Sequence, residues 1–396
     1  MADRAPFRVL VLNQISEQGL QRLPAGAYVT GKDLAEPDAI LVRSADMHST
    51  EIAPTVKAIA RAGAGTNNIP VKAMSARGVP VFNAPGGNAN AVKELVLAGM
   101  LMAARNLAPA QRFVEQLDPR AADLDRQVEE GKKDFAGMEL SGQTLGIIGL
   151  GKVGCLVADA AIKLGMNVLG YDPDITVDAA WSLPAQVKKA ISVNEVLKNA
   201  TFITLHVPLV EATRHLVNEK NLVLVKPGTV LLNFSRDGVV SDPAVLAALD
   251  AKQLGWYVCD FPAAAILKHP HVVALPHLGA STREAEENCA IMVAEQLRDY
   301  LEHGNVANAV NFPNVSMGRE SRFRVAIANA NVPNMLGQIS TAVAQAGLNI
   351  HNMVNKSRGE MAYTLVDVDS AVSDSVMAAL RGIEGVLAVR YLPQEE

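Results

Sequence analysis

Short runs of apolar, often β-branched residues alternate along this chain with longer stretches whose apolar positions recur every three to four residues. The first pattern predicts strands over residues 7–12, 39–42, 79–83, 144–148, 167–171, 202–206, 230–234, 257–259 and 271–275. The second predicts helices over 50–62, 92–104, 151–164, 193–200, 242–251 and 281–303. Strand alternating with helix is the pattern of a parallel sheet covered on both faces. The stretch 92–104 is apolar nearly all round, which suits a helix buried between layers, domains or subunits. It is expected to join two α/β units and to be a candidate dimer element.

After Gly304 the texture changes. Ala309-Val-Asn-Phe-Pro313 and the polar stretch to Arg322 read as a linker. Beyond it come strand 323–328, helix 336–346, strands 350–357 and 361–368, helix 373–380 and strand 386–391. That βαββαβ order predicts a small ferredoxin-like domain. The fold expected is therefore α/β, with two doubly wound parallel-sheet domains, one of Rossmann type, and the small third domain.

Composition narrows the partners. The 396 residues suffice for two or three domains, and 49% are apolar, enough to fill their cores. The net charge is -5 and no dense Lys/Arg run occurs, so a nucleic acid or an anionic membrane has no electrostatic footprint. Met1-Ala-Asp-Arg-Ala-Pro-Phe7 lacks the pattern of a signal peptide, and the apolar stretch 95–104 is too short to span a bilayer. Cys155, Cys259 and Cys289 stand at no metal-ligand spacing, so no metal is expected, and the sparse count fits a reducing cytoplasm. Cys155 has two readings, a small packed side chain or a thiol activated at a helix start.

Leu145-Gly-Ile-Ile-Gly149-Leu-Gly151-Lys152-Val153-Gly154 places G-x-G-x-x-G between a strand and a helix. Gly149 would allow the tight turn, Gly151 the approach of a pyrophosphate, and Gly154 close helix–strand packing. The helix start adds free N–H groups and partial positive charge. Asp172 closes the next strand and is placed to accept hydrogen bonds from ribose hydroxyls. It would repel a 2′-phosphate, so NAD is expected rather than NADP.

Polar groups also gather at the ends of three later strands: Thr204-Leu-His206-Val-Pro208, Asn233-Phe234-Ser235-Arg236-Asp-Gly238, and Leu275-Pro-His277-Leu-Gly279-Ala280-Ser-Thr282. Interconverting a 2-hydroxy and a 2-keto acid needs a cation for the oxygens and a group titrating near neutrality for the hydroxyl proton. Arg236 suits the first role through its planar fork, and His277 suits the second.

With the glycine loop, these segments resemble the D-2-hydroxyacid dehydrogenase family, over about residues 40–313. Upstream, Leu41-Val-Arg43-Ser44, Arg61-Ala-Gly63-Ala64-Gly-Thr66-Asn-Asn68 and Asn83-Ala-Pro-Gly86-Gly87-Asn88 resemble the substrate loops of its members that act on 3-phospho-D-glycerate. The resemblance implies that Arg43, Ser44, Ala64, Gly86, Gly87 and Asn88 contact substrate. It places Lys152, Val153, His206, Pro208, Thr213, Phe234, Ser235, Asp260, Gly279 and Ala280 around the cofactor, with His206 not the acid. Two domains are implied, residues 1–95 with 277–313 for substrate and 96–276 for NAD, with the active site in the cleft between them.

Two departures stand out. The family's Asp-Val-Phe-x-x-Glu-Pro, whose Glu pairs with the catalytic His, reads Cys259-Asp260-Phe261-Pro262-Ala263-Ala264-Ala265 here. Asp260 lies one place off when aligned from Gly255, and a one-residue shift reverses a strand's face. Either Asp260 takes part differently or His277 works without a carboxylate. Lys93 stands where the family has a small residue. It is read either as extra charge for a doubly anionic substrate or as a solvated lysine at a helix start.

Residues 322–396, after a linker at 314–321, resemble an ACT domain, an amino-acid-sensing module. The resemblance implies an effector loop at Asn329-Ala-Asn331-Val-Pro-Asn334, with Asn349 as second contributor, and edge-to-edge pairing into a homodimer or homotetramer. Together these imply NAD-dependent oxidation of 3-phospho-D-glycerate, at the first step of L-serine synthesis. Another 2-keto acid, such as 2-ketoglutarate, or an NAD sensor with residual activity are the alternatives.

Overall fold

In the computed structural model, which describes residues 5–394, the chain forms two compact units. Residues 1–4, whose composition was read above against a signal peptide, and 395–396 lie outside the described residues. One unit comprises residues 1–88 with 283–396, the other 89–282.

The first unit contains two sheets. Strands β1 (Phe7–Leu12), β2 (Tyr28–Gly31), β3 (Ala39–Val42), β4 (Ala58–Arg61) and β5 (Val81–Phe82) form a parallel sheet in the order β2-β1-β3-β4-β5. Both faces are covered. Val9, Leu41 and Ala60 share a core with Val293, Leu297 and Leu301 of helix Arg283–His303. Ile40, Val42 and Ile59 pack with Met47, Ile69 and Met74 on the other face. Gly19 lets the short helix Glu17–Leu20 press on Arg283–His303, since a Cβ there would lie 2.6 Å from Ala290 Cβ.

The second unit contains β6 (Thr144–Ile148), β7 (Asn167–Tyr171), β8 (Lys188–Lys189), β9 (Phe202–Leu205), β10 (Thr229–Asn233), β11 (Leu254–Cys259) and β12 (Val272–Ala274). All run parallel in the order β12-β11-β10-β9-β6-β7-β8. The order reverses between β6 and β9, the switch point where doubly wound sheets bind ligands. Helices Ala89–Ala104 and Lys152–Lys163 cover one face, Val193–Asn199 and Asp242–Asp250 the other.

The remaining strands of the first unit, β13 (Phe323–Ala330), β14 (Ile350–Arg358), β15 (Met361–Val368) and β16 (Val386–Pro393), form an antiparallel sheet ordered β14-β15-β13-β16. With helices Met335–Gln345 and Asp374–Arg381 this is the expected βαββαβ unit. One face packs on those helices through Val325, Ile327 and Val366. The other, through Ala326, Tyr363 and Leu365, joins the core that holds Leu297, Tyr300 and Phe312.

A buried ion pair fixes this sheet. Arg324 donates Nε to Asp367 Oδ1 at 2.6 Å and Nη2 to Oδ2 at 2.8 Å. Its other N–H groups reach the carbonyls of His303, Met317 and Gly318, so the whole fork is satisfied with both side chains fully buried. Tyr363 donates its hydroxyl to Gly304 O at 2.8 Å. Val315 and Met317, in the stretch read as linker, are buried in the same core.

One local expectation fails. The helix expected over 50–62 is a loop followed by β4, because Ala58-Ile59-Ala60 belongs to a strand buried on both faces. Its two alanines supply helix propensity, and Ile59 is its one β-branched residue. Helix Ala89–Ala104 buries a stripe of Val92, Val96, Met100 and Ala103, while Leu101 is exposed on its other side. Cys155 is a packed thiol: it is buried, donates to Leu150 O at 3.3 Å, and burial raises its pKa.

Candidate active site

The glycine loop of the second unit is held by contacts that only glycine allows. Gly149 turns at φ +95°, and a Cβ there would lie 2.5 Å from His206 O. A Cβ on Gly154 would lie 2.1 Å from Gly149 O, so the first turn of helix Lys152–Lys163 sits directly on the loop. Gly151 differs: it is exposed, and a Cβ would meet nothing within 4 Å. Its surroundings leave the approach open to a ligand, with the helix start and Lys152 beside it. Asp172, at the end of β7, accepts from Leu150 N at 2.8 Å and from Asp174 N at 3.0 Å. The loop and the carboxylate are thus tied into one rigid element. These features fit an NAD pyrophosphate and ribose.

The ends of β9, β10, β11 and β12 follow in order along the same sheet edge. At the end of β9, His206 Nε2 lies 3.0 Å from Thr204 Oγ1, and burial pushes its pKa down to about 3. At neutral pH this imidazole is uncharged. Pro208 follows in the loop, where Thr213 Oγ1 donates to Pro208 O and accepts from Val210 N at 2.9 Å.

At the end of β10, Asn233 organises the next loop. Its Oδ1 accepts from Ser235 N and Ser235 Oγ, and its Nδ2 donates to Arg236 O at 3.0 Å. Phe234 is buried against Gly99, where a Cβ would lie 3.0 Å from its ring. Arg236 is then turned outward, with Nη1 donating to Ser235 O at 2.7 Å. Desolvation lowers its pKa, but a guanidinium remains charged at any physiological pH.

Asp260, just past β11, is almost wholly buried. Its backbone N–H goes to Asn233 O at 3.1 Å, which links it to the Arg236 loop. Its carboxylate accepts from Leu278 N at 2.7 Å and Gly279 N at 2.8 Å. A Cβ on Gly279 would lie 3.2 Å from Asp260 Oδ2, so this position admits only glycine without a shift. His277, immediately before these two amides, is exposed at φ +59°, in the left-handed region. Phe261 flanks its ring at 5.0 Å between centroids. Within its own unit, and among the described residues, no carboxylate pairs with the His277 ring. Ala280 lies half-buried in the same loop.

In the first unit, Arg43 follows β3 and pairs with Glu286 of helix Arg283–His303 at 2.5 Å. Asn13 accepts from Ser44 N at 3.1 Å and Ala45 N at 2.6 Å. Asn68 donates to Ala45 O and accepts from Arg61 Nε. Asn83 Nδ2 donates to Ala64 O at 2.5 Å. The Gly86-Gly87-Asn88 loop lies against Arg283–His303, since a Cβ on Gly87 would be 2.8 Å from Cys289 Sγ. Gly87 N–H is engaged by Ala84 O at 3.3 Å, and Gly86 turns at φ +85°.

Lys93, in the first turn of helix Ala89–Ala104 in the second unit, donates to Asn90 Oδ1 at 2.6 Å and lies 3.7 Å from Glu94. Both partners are local. In the third sheet, Asn329 is buried and donates to Ala330 O, while its Oδ1 has no hydrogen-bond partner. Asn331 donates to Gly359 O, Asn349 N–H goes to Asp369 Oδ1, and Asn334 adopts φ +62°. The organising roles of Asn233, Asn13, Asn68 and Glu286 were not foreseen. Asn233 carried a signal, a lone amide ending an apolar strand, whereas the Arg43–Glu286 pair spans 243 positions and left none. Among the described residues no group of His, Cys, Asp and Glu could hold a metal ion, and no helix is long and apolar enough to cross a membrane.

Comparison with known proteins follows this geometry. The family model described as "D-isomer specific 2-hydroxyacid dehydrogenase, NAD binding domain" matches residues 97–279. D-3-phosphoglycerate dehydrogenase of Escherichia coli K12 is 31% identical over 341 residues, covering 83% of this chain and 79% of that one. The enzyme of the same name from Methanocaldococcus jannaschii is 33% identical over 344 residues, 85% of this chain. There the match spans only 62% of the relative's length. The structure of NAD+-bound 3-phosphoglycerate dehydrogenase from Entamoeba histolytica superposes with a TM-score of 0.60. At 23% identity it covers 77% of this chain and 99% of that one, and it shares the fold.

Proposed function

The chain belongs to the D-isomer specific 2-hydroxyacid dehydrogenase family, and from that premise we propose that it oxidises 3-phospho-D-glycerate to 3-phosphohydroxypyruvate with NAD. The observation that carries the reading is the linkage from Asn233 to Asp260 to the amides of Leu278 and Gly279. It fixes the Arg236 and His277 loops at strand ends of one sheet.

Arg236 holds the substrate's carboxylate and 2-oxygen through its planar fork. His277 accepts the proton of the 2-hydroxyl as the C2 hydride leaves, and returns it in the reverse direction. NAD supplies the hydride acceptor when bound; Gly149, Gly151, Lys152, Val153 and Gly154 hold its pyrophosphate, and Asp172 its ribose. Phe234, Ser235, Gly279 and Ala280 border the nicotinamide. Arg43, Ser44, Ala64, Gly86, Gly87 and Asn88 hold the anionic ends of the substrate. For Arg43 this requires an anion to compete with Glu286.

The third sheet acts in this reading as an ACT-like regulatory domain. Its effector contacts are Asn329, Asn331 and Asn349, and the unpartnered Asn329 Oδ1 supports an ammonium donor there. A homodimer or homotetramer, a cytoplasmic location and a role in L-serine synthesis complete the proposal.

The test is NADH formation from 3-phosphoglycerate with the product trapped, in wild type, His277→Ala and Arg236→Ala. Loss of roughly 10²–10⁴-fold in both variants is expected. A wild type that binds NADH but turns over only another 2-hydroxy acid would move the substrate assignment and leave the chemistry standing.

A further inference from the structure

The first unit contains a cleft of about 480 Å³ that none of the candidate site residues line. One wall is the loop before β4 and the end of helix Val71–Ala76; the other is β16 and Arg381. At its narrow side the two walls touch. Gly78, at φ +71°, would place a Cβ only 2.7 Å from Ala388 Cβ, so the opening beside it is framed by close packing.

Four charged side chains line the cleft, and all four are cations: Lys57, Arg77, Arg381 and Arg390. No carboxylate lines it among the described residues. Lys57 has an acidic partner behind it, Asp38 at 2.6 Å. Among the described residues the three arginines have none. Arg77 donates to the carbonyls of Ile52 and Ala53 at 3.0 and 2.7 Å. Arg390 donates to those of Tyr300 and Leu301 at 3.0 and 2.8 Å and stacks 4.4 Å from the Tyr300 ring. Carbonyls orient a guanidinium without cancelling its charge. Arg381, exposed at the end of its helix, makes no hydrogen bond or ion pair among the described residues. Gathering unbalanced charge of one sign in a concave site costs stability, unless an anion occupies it.

We propose that this cleft binds a small organic polyanion, a phosphate ester or a di- or tricarboxylate, between the first sheet and the third. Arginine forks pair bidentately with phosphoryl and carboxylate oxygens, and the volume falls within the range of about 300–1,000 Å³ usual for small-molecule sites. A free amino acid is excluded, because its ammonium would face the same cations. Such a ligand would contact both walls and so strengthen the seating of the third sheet on the first.

The experiment is calorimetric titration of the full chain in chloride buffer, with inorganic pyrophosphate and citrate as probes. Arg381→Glu tests the cleft without disturbing a packed contact, and Arg236→Ala controls for anions at the strand ends of the second unit. At least one probe should bind, equally in wild type and Arg236→Ala, and about tenfold or more weakly in Arg381→Glu. Pyrophosphate alone would name the phosphate esters, citrate alone the polycarboxylates. No binding by either probe would overturn the proposal. So would equal isotherms in wild type and Arg381→Glu, or loss of binding in Arg236→Ala.

Discussion

Two histidines follow strands of the same sheet, and their surroundings are opposite. At the end of β9, His206 is half-buried, bonded to Thr204 and held neutral, with a pKa of about 3. Past β12, His277 is exposed in a left-handed turn whose neighbouring amides, not its ring, are held by a buried carboxylate. One imidazole is fixed by its own ring atoms, the other by its backbone. The difference teaches that an imidazole can be held in place through its backbone, with no hydrogen bond to its ring from its own unit among the described residues. Asp260 thus answers for the missing Glu in a limited sense: it places His277 without pairing to it.

The contrast can be tested by degrees. Replacing His277 with Ala should cost turnover roughly 10²–10⁴-fold with little change in stability, while His206→Asn should cost far less turnover. Equal losses in steady-state assays would erase the distinction. Asp260→Ala leaves two amides unpaired, one of them, Gly279, buried, and should lower unfolding stability by roughly 2–5 kcal/mol in denaturant titrations. Its turnover should fall with it, and Asp260→Asn, which keeps one acceptor, should recover part of both.

The His206 ring also makes stability depend on pH. His206 has a folded pKa of about 3 against an ordinary value of 6.5. Between those values the unfolded chain takes a proton that the folded chain refuses, so stability falls as pH drops from 6.5 towards 3. The slope is at most about 1.4 kcal/mol per pH unit. His206→Asn should flatten this limb of a stability–pH curve. The smallest expected effect is that of Thr204→Val, about 1 kcal/mol from the lost hydrogen bond, read as a small shift in thermal midpoint.

How far the sequence carried this picture depends on how local each feature is. The strand–glycine loop–helix from β6 to Gly154 was legible because the turn, the phosphate approach and the packing each demand glycine within six positions. The βαββαβ order was legible because its elements keep clean periods. β4 was not, because its two alanines read as helix formers and leave Ile59 as its one β-branched residue. β2 is a short edge strand and β8 has two residues, too few for a pattern. Arg43 could be singled out, but not Glu286, and Asp260 could be flagged, but not the amides it holds. A partner remote in the chain leaves no trace in local spacing.

The Arg324–Asp367 pair bears on how this protein can be cut. Its fork grips carbonyls at His303, Met317 and Gly318, so the third sheet is clamped onto the rest of its unit as well as tethered to it. A chain shortened after residue 321 would lose the clamp and uncover Tyr300, Phe312, Val315 and Met317 together. Such a fragment would present a continuous greasy face to its neighbours and self-associate. Expression of the dehydrogenase portion by simple truncation should therefore give aggregates, unless those four side chains are also made polar.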